Sequence, residues 1–214
     1  MQKINMETWE RREVFASYVG QDLPYIIVTA EVDVTGLYRA AKAGGYSFYF
    51  ALIYAASKTA DSIKNFHYRI VDGEPFYMET MTPTATHLRP GEDLFVMAEC
   101  DPYDDVRTFA VKNREKADRL FSEGNPRAPE GRTDILNFSA IPWIRSTGFV
   151  RTIGKLGADS NPKFTIGKYE KRDGRVTVPF SVQTHHGLMD GRHVGLFYER
   201  FQAMLDEFPE GEQL

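Results

Sequence analysis

The segment 184–191, which reads Thr-His-His-Gly-Leu-Met-Asp-Gly, holds the densest group of side chains suited to acid–base chemistry. Every second residue from 176 to 182 is apolar, which is typical of a buried strand leading into this segment. Continuing the period of two places His186 on the apolar side and His185 on the opposite side. The two histidines therefore do not act together, and His186 is a candidate general base near neutral pH.

Three other interpretations of this segment remain open from the residues alone. His186 could be a satisfied structural histidine beside the core, and Asp190 could simply cap the helix that follows it. His185, His186, Asp190 and His193 could bind zinc, but the chain has no H-E-x-x-H motif and no cysteine pair. We therefore predict no metal site.

The strands and helices that the sequence predicts around these residues would form a sheet covered by helices. Strands are expected at 25–32, 67–70, 75–78, 82–87, 93–99 and 135–140, and then as a hairpin of 163–169 and 175–185 with a turn at 172–174. Helices are expected at 10–18, from an N-cap at Thr35 to residues 44–45, from Ser47 through 48–63, from Asp101 as N-cap to 121, and from Gly191 onward. This mixture predicts an α/β or α+β sandwich. No linker divides the chain, so we expect one domain over residues 1–214.

The composition narrows the function classes. The 214 residues carry a formal net charge of -4, which argues against a general nucleic-acid binder. The most apolar stretch, 48–56, is too short to span a membrane, and the first residues lack the apolar run of a signal peptide. The single cysteine, Cys100, cannot form an internal disulfide. We expect a cytoplasmic protein that binds neither nucleic acid nor membrane.

Five segments, in order along nearly the whole chain, resemble the motifs of the chloramphenicol acetyltransferase family. Segment 184–191 resembles its HHxxxDG signature, of which dihydrolipoyl acyltransferase catalytic domains carry a related version. The other four are 9–15 with W-x-R-x-E-x-F, 48–51 with F-Y-P-A, 139–143 with S-A-x-P-W, and 164–169 with F-T-M-G-K-Y. The resemblance implies a two-layer sandwich with a mixed sheet.

The resemblance also implies an activity and its residues. An acetyl group would move from acetyl-CoA directly to a hydroxyl of chloramphenicol or a similar small alcohol, which would give antibiotic resistance. His186 would be the general base, and Asp190 would hold the site together through a salt bridge with Arg11. Ser139 would donate a hydrogen bond to the oxyanion of the tetrahedral intermediate, and Thr165 would assist through an ordered water.

Two sets of aromatic residues are expected from the same resemblance to line ligand sites, although core packing explains such residues almost equally well. The coenzyme set is Trp143, Tyr169 and Tyr49. The acceptor set is Tyr18, Tyr25 and Phe95. The family implies a homotrimer with active sites between subunits, in which the base comes from one chain and much of the acceptor pocket from its neighbour.

Three rival functions remain at this stage. The chain could be a scaffold that kept the fold without turnover, an acyltransferase core acting on dihydrolipoamide, or an enzyme acting on another hydroxyl compound. The complete set of motif residues argues against the first. The absence of a lipoyl domain and flexible linkers in this sequence argues against the second.

Overall fold

The computed structural model describes residues 1–124, 131–154 and 159–208. The strands in these ranges are β1 Gln2–Lys3, β2 Tyr25–Asp33, β3 Tyr68–Val71, β4 Glu74–Tyr77, β5 Thr82–His87, β6 Val96–Glu99, β7 Ile135–Ala140, β8 Lys163–Ile166, β9 Glu170–Arg172 and β10 Arg175–His185. The α-helices are α1 Arg12–Tyr18, α2 Thr35–Gly44, α3 Phe48–Asp61, α4 Val106–Ser122 and α5 Gly191–Asp206. No helix in the described ranges is both long and apolar enough to cross a membrane.

The large sheet is mixed and is organised around the long strand β10. Its strand order is β2-β10-β8-β7-β5-β6, and β9 pairs with the first residues of β10. The β5–β7 and β7–β8 pairs are parallel, whereas β10 runs antiparallel to both β2 and β8. β10 pairs with the whole of β2, so the last residue of β10, His185, lies opposite the first residue of β2, Tyr25.

One face of this sheet carries an aromatic core. Phe138, Phe164 and Phe180 come from three adjacent strands and meet Phe197 and Phe201 of α5. The closest ring centroids are 4.6 Å apart, between Phe138 and Phe164. Burying each such ring stabilises the fold by roughly 1.5–3 kcal/mol, so this cluster attaches the helical layer to the sheet. The result is an α+β two-layer sandwich, as predicted.

Helix α3 lies within the helical layer and packs against α2, α4 and α5. The nine uncharged residues from 48 to 56 explain this position, because a helix that is apolar all round must be covered all round. Ser47 caps the helix, as predicted, and its hydroxyl accepts the N–H of Phe50 at 3.4 Å.

Two predicted helix starts are wrong because other groups satisfy the backbone there. Helix α4 is capped by Asp105, whose carboxylate accepts the N–H of Thr108 at 2.8 Å. The backbone of Asp101 is instead held by the side-chain amide of Asn113 at 2.7 and 3.0 Å. Thr35 is the first residue inside α2 and not its cap, because its hydroxyl donates to the Asp33 carboxylate.

Two strand predictions also need correction. The strand expected at 93–99 begins only at Val96, and the strand expected at 163–169 ends at Ile166. At Gly167 the chain closes on Pro179, where a Cβ would lie 3.1 Å from the proline ring, before it continues into β9. The short strand β1 was not predicted. The predicted turn between β9 and β10 is confirmed, with Asp173 and Gly174 at φ 50° and 80°.

A second, three-stranded sheet of order β1-β4-β3 supports α1. Its apolar cluster joins Trp9 and Phe15 to Tyr68, Ile70 and Leu188. Because Leu188 belongs to the segment after β10, this cluster fixes α1 against the end of the large sheet. The sequence surrounding the candidate base is thereby anchored to the N-terminal helix.

Candidate active site

His186 directly follows β10, at the turn from the sheet into α5. Its backbone N–H donates to the carbonyl of Pro24 at 2.7 Å. Its imidazole lies flat against the ring of Tyr18, with centroids 4.3 Å apart and planes 15° from parallel. Its Nδ1 atom is buried and has no hydrogen-bond partner among the described residues. Backbone and ring contacts together hold this side chain in one orientation.

The two adjacent histidines face different surroundings, as the strand period predicts. His185 is buried, its ring lies edge-on to Tyr25 at 5.7 Å, and its Nδ1 accepts the N–H of Gly187 at 3.1 Å. Glycine at position 187 fits closely against His185, because a Cβ there would lie 3.2 Å from the His185 ring. Within residues 1–124, 131–154 and 159–208, no group of three or more His, Cys, Asp or Glu side chains is placed to hold a metal ion.

Asp190 and Arg11 form an ion pair that also holds the backbone of the candidate base. Arg11 is 8% exposed; its Nη1 donates to Asp190 at 3.1 Å and its Nη2 donates to the carbonyl of His186 at 3.3 Å. Burial works to raise the pKa of Asp190, but the hydrogen bond from Arg11 and the nearby positive charges outweigh it, so this pKa is lowered. The carboxylate stays ionised and keeps the His186 segment attached to α1.

Asp190 is at the same time the N-cap of α5, so the two interpretations of this residue from the sequence are both correct structurally. Its carboxylate accepts the N–H of Arg192 at 3.1 Å, and its own N–H donates to His193 Nδ1 at 3.2 Å. Burial lowers the pKa of His193, which favours the neutral ring that this acceptor role requires. Asp190 thus joins the start of α5 to Arg11.

Ser139 and Thr165 lie in a row of hydroxyl side chains that crosses the sheet. We call it the hydroxyl row, and its members are Thr86, Ser139, Thr165, Ser181 and Thr29. Adjacent members pair across the strands, and they lie on the face opposite the aromatic core. The Thr86 hydroxyl donates to Ser139 Oγ at 3.1 Å, while Ser181 and Thr29 share a hydrogen bond of 2.6 Å. The sequence analysis missed Thr86, because nothing in a lone strand threonine reveals its partner strand.

The predicted coenzyme residues come from the segments that follow β7 and β8 and from the first turn of α3. Trp143 follows β7 and is 65% exposed. The backbone carbonyl of the next residue, Ile144, accepts the N–H of Lys168 at 2.9 Å. Tyr169 follows β8 and is 41% exposed. The Tyr49 hydroxyl is buried without a hydrogen-bond partner among the described residues, and burial raises the pKa of Tyr49 despite the nearby Thr86. Their coenzyme role stays a prediction.

The acceptor residues are divided between two places. Tyr18 stacks on His186, and Tyr25 contacts His185 with a buried hydroxyl whose pKa is raised to about 12 by burial and by the charge of Asp159. Phe95 is 52% exposed and directly precedes β6, whose first residue pairs with the end of β5.

The predicted site therefore falls into two clusters within one chain. The histidine cluster contains His186, Asp190, Arg11, Tyr18 and Tyr25. The remaining predicted residues belong to or flank β6, β7, β8 and α3, and we call them together the serine cluster: Ser139, Thr165, Trp143, Tyr169, Tyr49 and Phe95. Ser181 on β10 is level with Thr165 and Ser139, and His186 lies five residues further along the chain. At ~3.4 Å per residue, His186 lies ~17 Å beyond Ser181 along the direction of β10, so the two clusters stand at different levels of the same chain's sheet.

Comparisons with known proteins place this chain in a family. The sequence model of the chloramphenicol acetyltransferase family matches residues 1–202. Chloramphenicol acetyltransferase 2 of Escherichia coli is 33% identical over 210 residues, which cover 95% of this chain and 96% of that protein. A Staphylococcus aureus chloramphenicol acetyltransferase is 32% identical over 210 residues, covering 94% and 97%.

Solved structures show the same likeness. A chloramphenicol acetyltransferase structure superimposes with a TM-score of 0.81 at 27% identity, covering 95% of this chain and 99% of that one. A probable dihydrolipoamide acetyltransferase from Listeria monocytogenes 4b F2365 has a TM-score of 0.68 at 16% identity, covering 100% and 98%. The second likeness is one of fold alone.

Proposed function

Because this chain belongs to the chloramphenicol acetyltransferase family, an acyltransferase family, we propose that it moves the acetyl group of acetyl-CoA to a hydroxyl of chloramphenicol or a closely similar alcohol. The observation that carries this proposal is the placement of His186, whose imidazole stacks on the Tyr18 ring and whose backbone is hydrogen-bonded to Pro24 and Arg11. A base already in one orientation avoids the cost of ordering it during the reaction.

In the proposed mechanism His186 is the general base. The acceptor hydroxyl gives its proton to Nε2, since Nδ1 of His186 is buried in its own chain. The acceptor oxygen then forms a bond to the thioester carbonyl carbon, whose oxygen becomes an oxyanion. When the C–S bond breaks, the leaving thiolate takes the proton back from the imidazolium. The products are the acetyl ester and free coenzyme A, and a base of this kind typically contributes ~10²–10⁴-fold.

Ser139 is the proposed donor to the oxyanion. Its oxygen already accepts a hydrogen bond from Thr86, which leaves its own hydroxyl proton free to be donated to the intermediate. One aimed donor of this kind contributes ~10²–10³-fold. We give Thr165, the next member of the hydroxyl row, the assisting role through a water, and Asp190 with Arg11 the role of holding the His186 segment.

We further propose that the active enzyme is a closed homotrimer with each site between two chains. The ~17 Å offset of His186 from the level of Ser139 and Thr165 along β10 supports this arrangement. A repeated contact between unlike surfaces closes into a ring, so each chain would supply His186 to one site and Ser139 to another. The chain's single cysteine, Cys100, is compatible with the cytoplasm, where we place the enzyme.

Mixing two inactive variants tests the function and the assembly together. His186→Ala and Ser139→Ala are each refolded alone and then refolded together in equal amounts, and thiol release from acetyl-CoA is followed with chloramphenicol. Random trimers are three-quarters mixed and each mixed trimer has one intact site in three, so about a quarter of wild-type activity should return. No recovery in the mixture would contradict a shared site.

The acceptor is tested separately. Wild-type chain expressed in a sensitive host should raise chloramphenicol resistance, while the His186→Ala variant at equal expression should not. Activity with other alcohols or dihydrolipoamide, but not with chloramphenicol, would keep the enzyme class and change the acceptor. No thiol release with any acceptor would point to a scaffold.

A further inference from the structure

A cavity of about 520 Å³ lies on the helical side of the large sheet, at the edge where β5 and β7 begin. Pro83 of β5 and Leu136 of β7 line it and pair across the two strands. Leu136 is two residues from Phe138, so both belong to the face that carries the aromatic core. The hydroxyl row lies on the opposite face. No residue of the histidine cluster or the serine cluster is among the described residues that line the cavity.

The charged groups of this cavity are mostly carboxylates. Among its described lining residues, four carboxylates face a single ammonium, that of Lys58. The carboxylates are those of Asp61, Glu79, Glu99 and Asp101. Two of the four are already paired, Glu99 with Arg132 at 2.8 Å and Asp101 with Lys116 at 2.5 Å. The negative charge that a ligand could use therefore comes from the other two carboxylates.

Asp61 and Glu79 are exposed, and within residues 1–124, 131–154 and 159–208 neither forms an ion pair with a lysine or an arginine. Asp61 has only the ring of His67, whose Nε2 lies 3.6 Å from its carboxylate. The Lys58 ammonium lies instead over the Tyr54 ring, 5.6 Å from the centroid. An incoming cation would therefore not have to displace a lysine or an arginine from these two carboxylates. Because exposed charges contribute little by themselves, the same ligand must also bury apolar surface.

Aromatic side chains supply that apolar surface. The rings of Tyr54 on α3 and Phe109 on α4 are in contact, with centroids 5.4 Å apart, and both line the cavity. Tyr103, from the segment between β6 and α4, lines it as well. The Tyr54 hydroxyl donates to the carbonyl of Asp104 in the same segment, which fixes the segment against α3. Rings of this kind suit an aromatic ligand, and the volume is within the usual range of small-molecule sites.

One hydroxyl in the wall has no partner. Ser57 lies on α3 and lines the cavity, and its Oγ is buried without a hydrogen-bond partner among the described residues. A buried polar atom of this kind costs free energy unless another group satisfies it. Ser57 and Asp61 are four residues apart and so lie on the same side of α3. A primary ammonium group has three donors, which suits a hydroxyl and a carboxylate side by side.

We propose that this cavity binds a compact aromatic amine in its cationic form. The ammonium group pairs with Asp61 and Glu79, and the aromatic ring packs on Tyr54 and Phe109. This inference goes beyond the proposed function, because it uses none of the residues assigned to acetyl transfer and needs no acetyl donor. Since the cavity and the hydroxyl row lie on opposite faces of the sheet, a bound amine should leave the acetyl-transfer site free.

Three probes with one ring system test the charge of the ligand. Tryptamine, tryptophol and indole-3-acetate share an indole ring with a short side chain, and at neutral pH they carry a cationic, a neutral and an anionic group. Calorimetric titration of the wild-type chain should show that tryptamine binds about tenfold more tightly than either of the others. No binding of tryptamine, or equal affinity for tryptamine and tryptophol, would overturn the proposal.

A matched pair of double variants locates the binding. In Asp61→Asn, Glu79→Gln the Kd for tryptamine should rise about tenfold, because both unpaired carboxylates of the cavity are gone. Glu199→Gln, Asp206→Asn on α5 is the control, since it makes the same two replacements outside the cavity and Asp206 ends α5 as Asp61 ends α3. An unchanged Kd in the first variant, or an equal rise in both, would rule out this site.

Competition separates the cavity from the acetyl-transfer site. Saturating chloramphenicol or acetyl-CoA should leave the Kd for tryptamine unchanged. Loss of tryptamine binding in the presence of either compound would place the amine in the acetyl-transfer site and contradict the proposal. All of these measurements record binding alone, so they test the cavity even if the chain releases no thiol from acetyl-CoA.

Discussion

The histidine cluster and the serine cluster differ in how they are held together. The histidine cluster depends on charge, because a buried Arg11 joins the Asp190 carboxylate to the backbone of His186. The serine cluster depends on strand register, which places neutral hydroxyls side by side and leaves Trp143 and Tyr169 exposed. The base is thus positioned by contacts within its own chain, while the exposed aromatic residues of the serine cluster are accessible to a ligand or a second chain.

Removing the base should give the largest effect. His186→Ala should lower kcat by ~10²–10⁴-fold, because proton transfer from the acceptor then has no positioned base. The melting temperature should change little, since within the described residues the His186 Nδ1 makes no hydrogen bond that the variant would lose. Steady-state rates and thermal melts check both parts, and a kcat within tenfold of wild type would remove His186 from the mechanism.

Changing the serine cluster should have a smaller effect. Ser139→Ala should lower kcat by ~10²–10³-fold, because the oxyanion loses an aimed donor. Ser181→Ala is the matched control: it belongs to the same hydroxyl row, but its oxygen is hydrogen-bonded to Thr29 and we assign it no catalytic role. Equal losses of kcat in the two variants would show that disturbance of the row, and not the Ser139 hydroxyl itself, is responsible.

Neutralising Asp190 should distinguish the effect of its negative charge on the histidine cluster from the effect of its N-cap role at α5. Asp190→Asn keeps a good N-cap residue but leaves Arg11 buried without its counter-charge. We expect a loss of about 1–2 kcal/mol in the free energy of unfolding, below the ~3–5 kcal/mol of a fully buried pair because the Asp190 side chain is 39% exposed. Asp105→Asn, the same change at the exposed cap of α4, is the control for capping alone.

The pH dependence of this variant has a definite sign. The pKa of Asp190 is lowered in the folded chain from its ordinary value of 3.8, so its stabilisation is present above that value and is lost as the pH falls through the folded pKa. Wild type and Asp190→Asn should therefore differ most near neutral pH and converge below about pH 4. Denaturant titrations across this range measure it, and a gap that widens in acid would contradict the assigned charge.

Strong periodic patterns were predicted well from the sequence. The aromatic stripe of α5 and the long strand β10 predicted the core, and the period of two placed His185 and His186 in different surroundings. Motif residues of the histidine cluster also came together as expected, because 9–15 and 184–191 meet through one apolar cluster.

Features that depend on distant contacts were not predictable from local patterns. Arg69 is fully buried in β3, where its guanidinium donates to the carbonyls of Phe66, Tyr68, Thr133 and Ile135. Burial lowers its pKa to about 9, against the influence of Asp134 and Asp159. A lone arginine in a strand gives no sign of such a set of acceptors, since two of them come from more than sixty residues away. The partner of Ser139 in the hydroxyl row was hidden for the same reason.

The smallest expected effect concerns the ring that lies on the base. Tyr18→Leu should lower kcat by about two- to tenfold, because an aromatic contact of this kind is worth ~0.5–1.5 kcal/mol and its loss lets the imidazole turn away. Tyr18→Phe keeps the stacked face and should retain nearly full kcat. If Phe were as slow as Leu, the hydroxyl of Tyr18 would matter more than its ring, and the histidine cluster would need a polar contact to the acceptor besides its base.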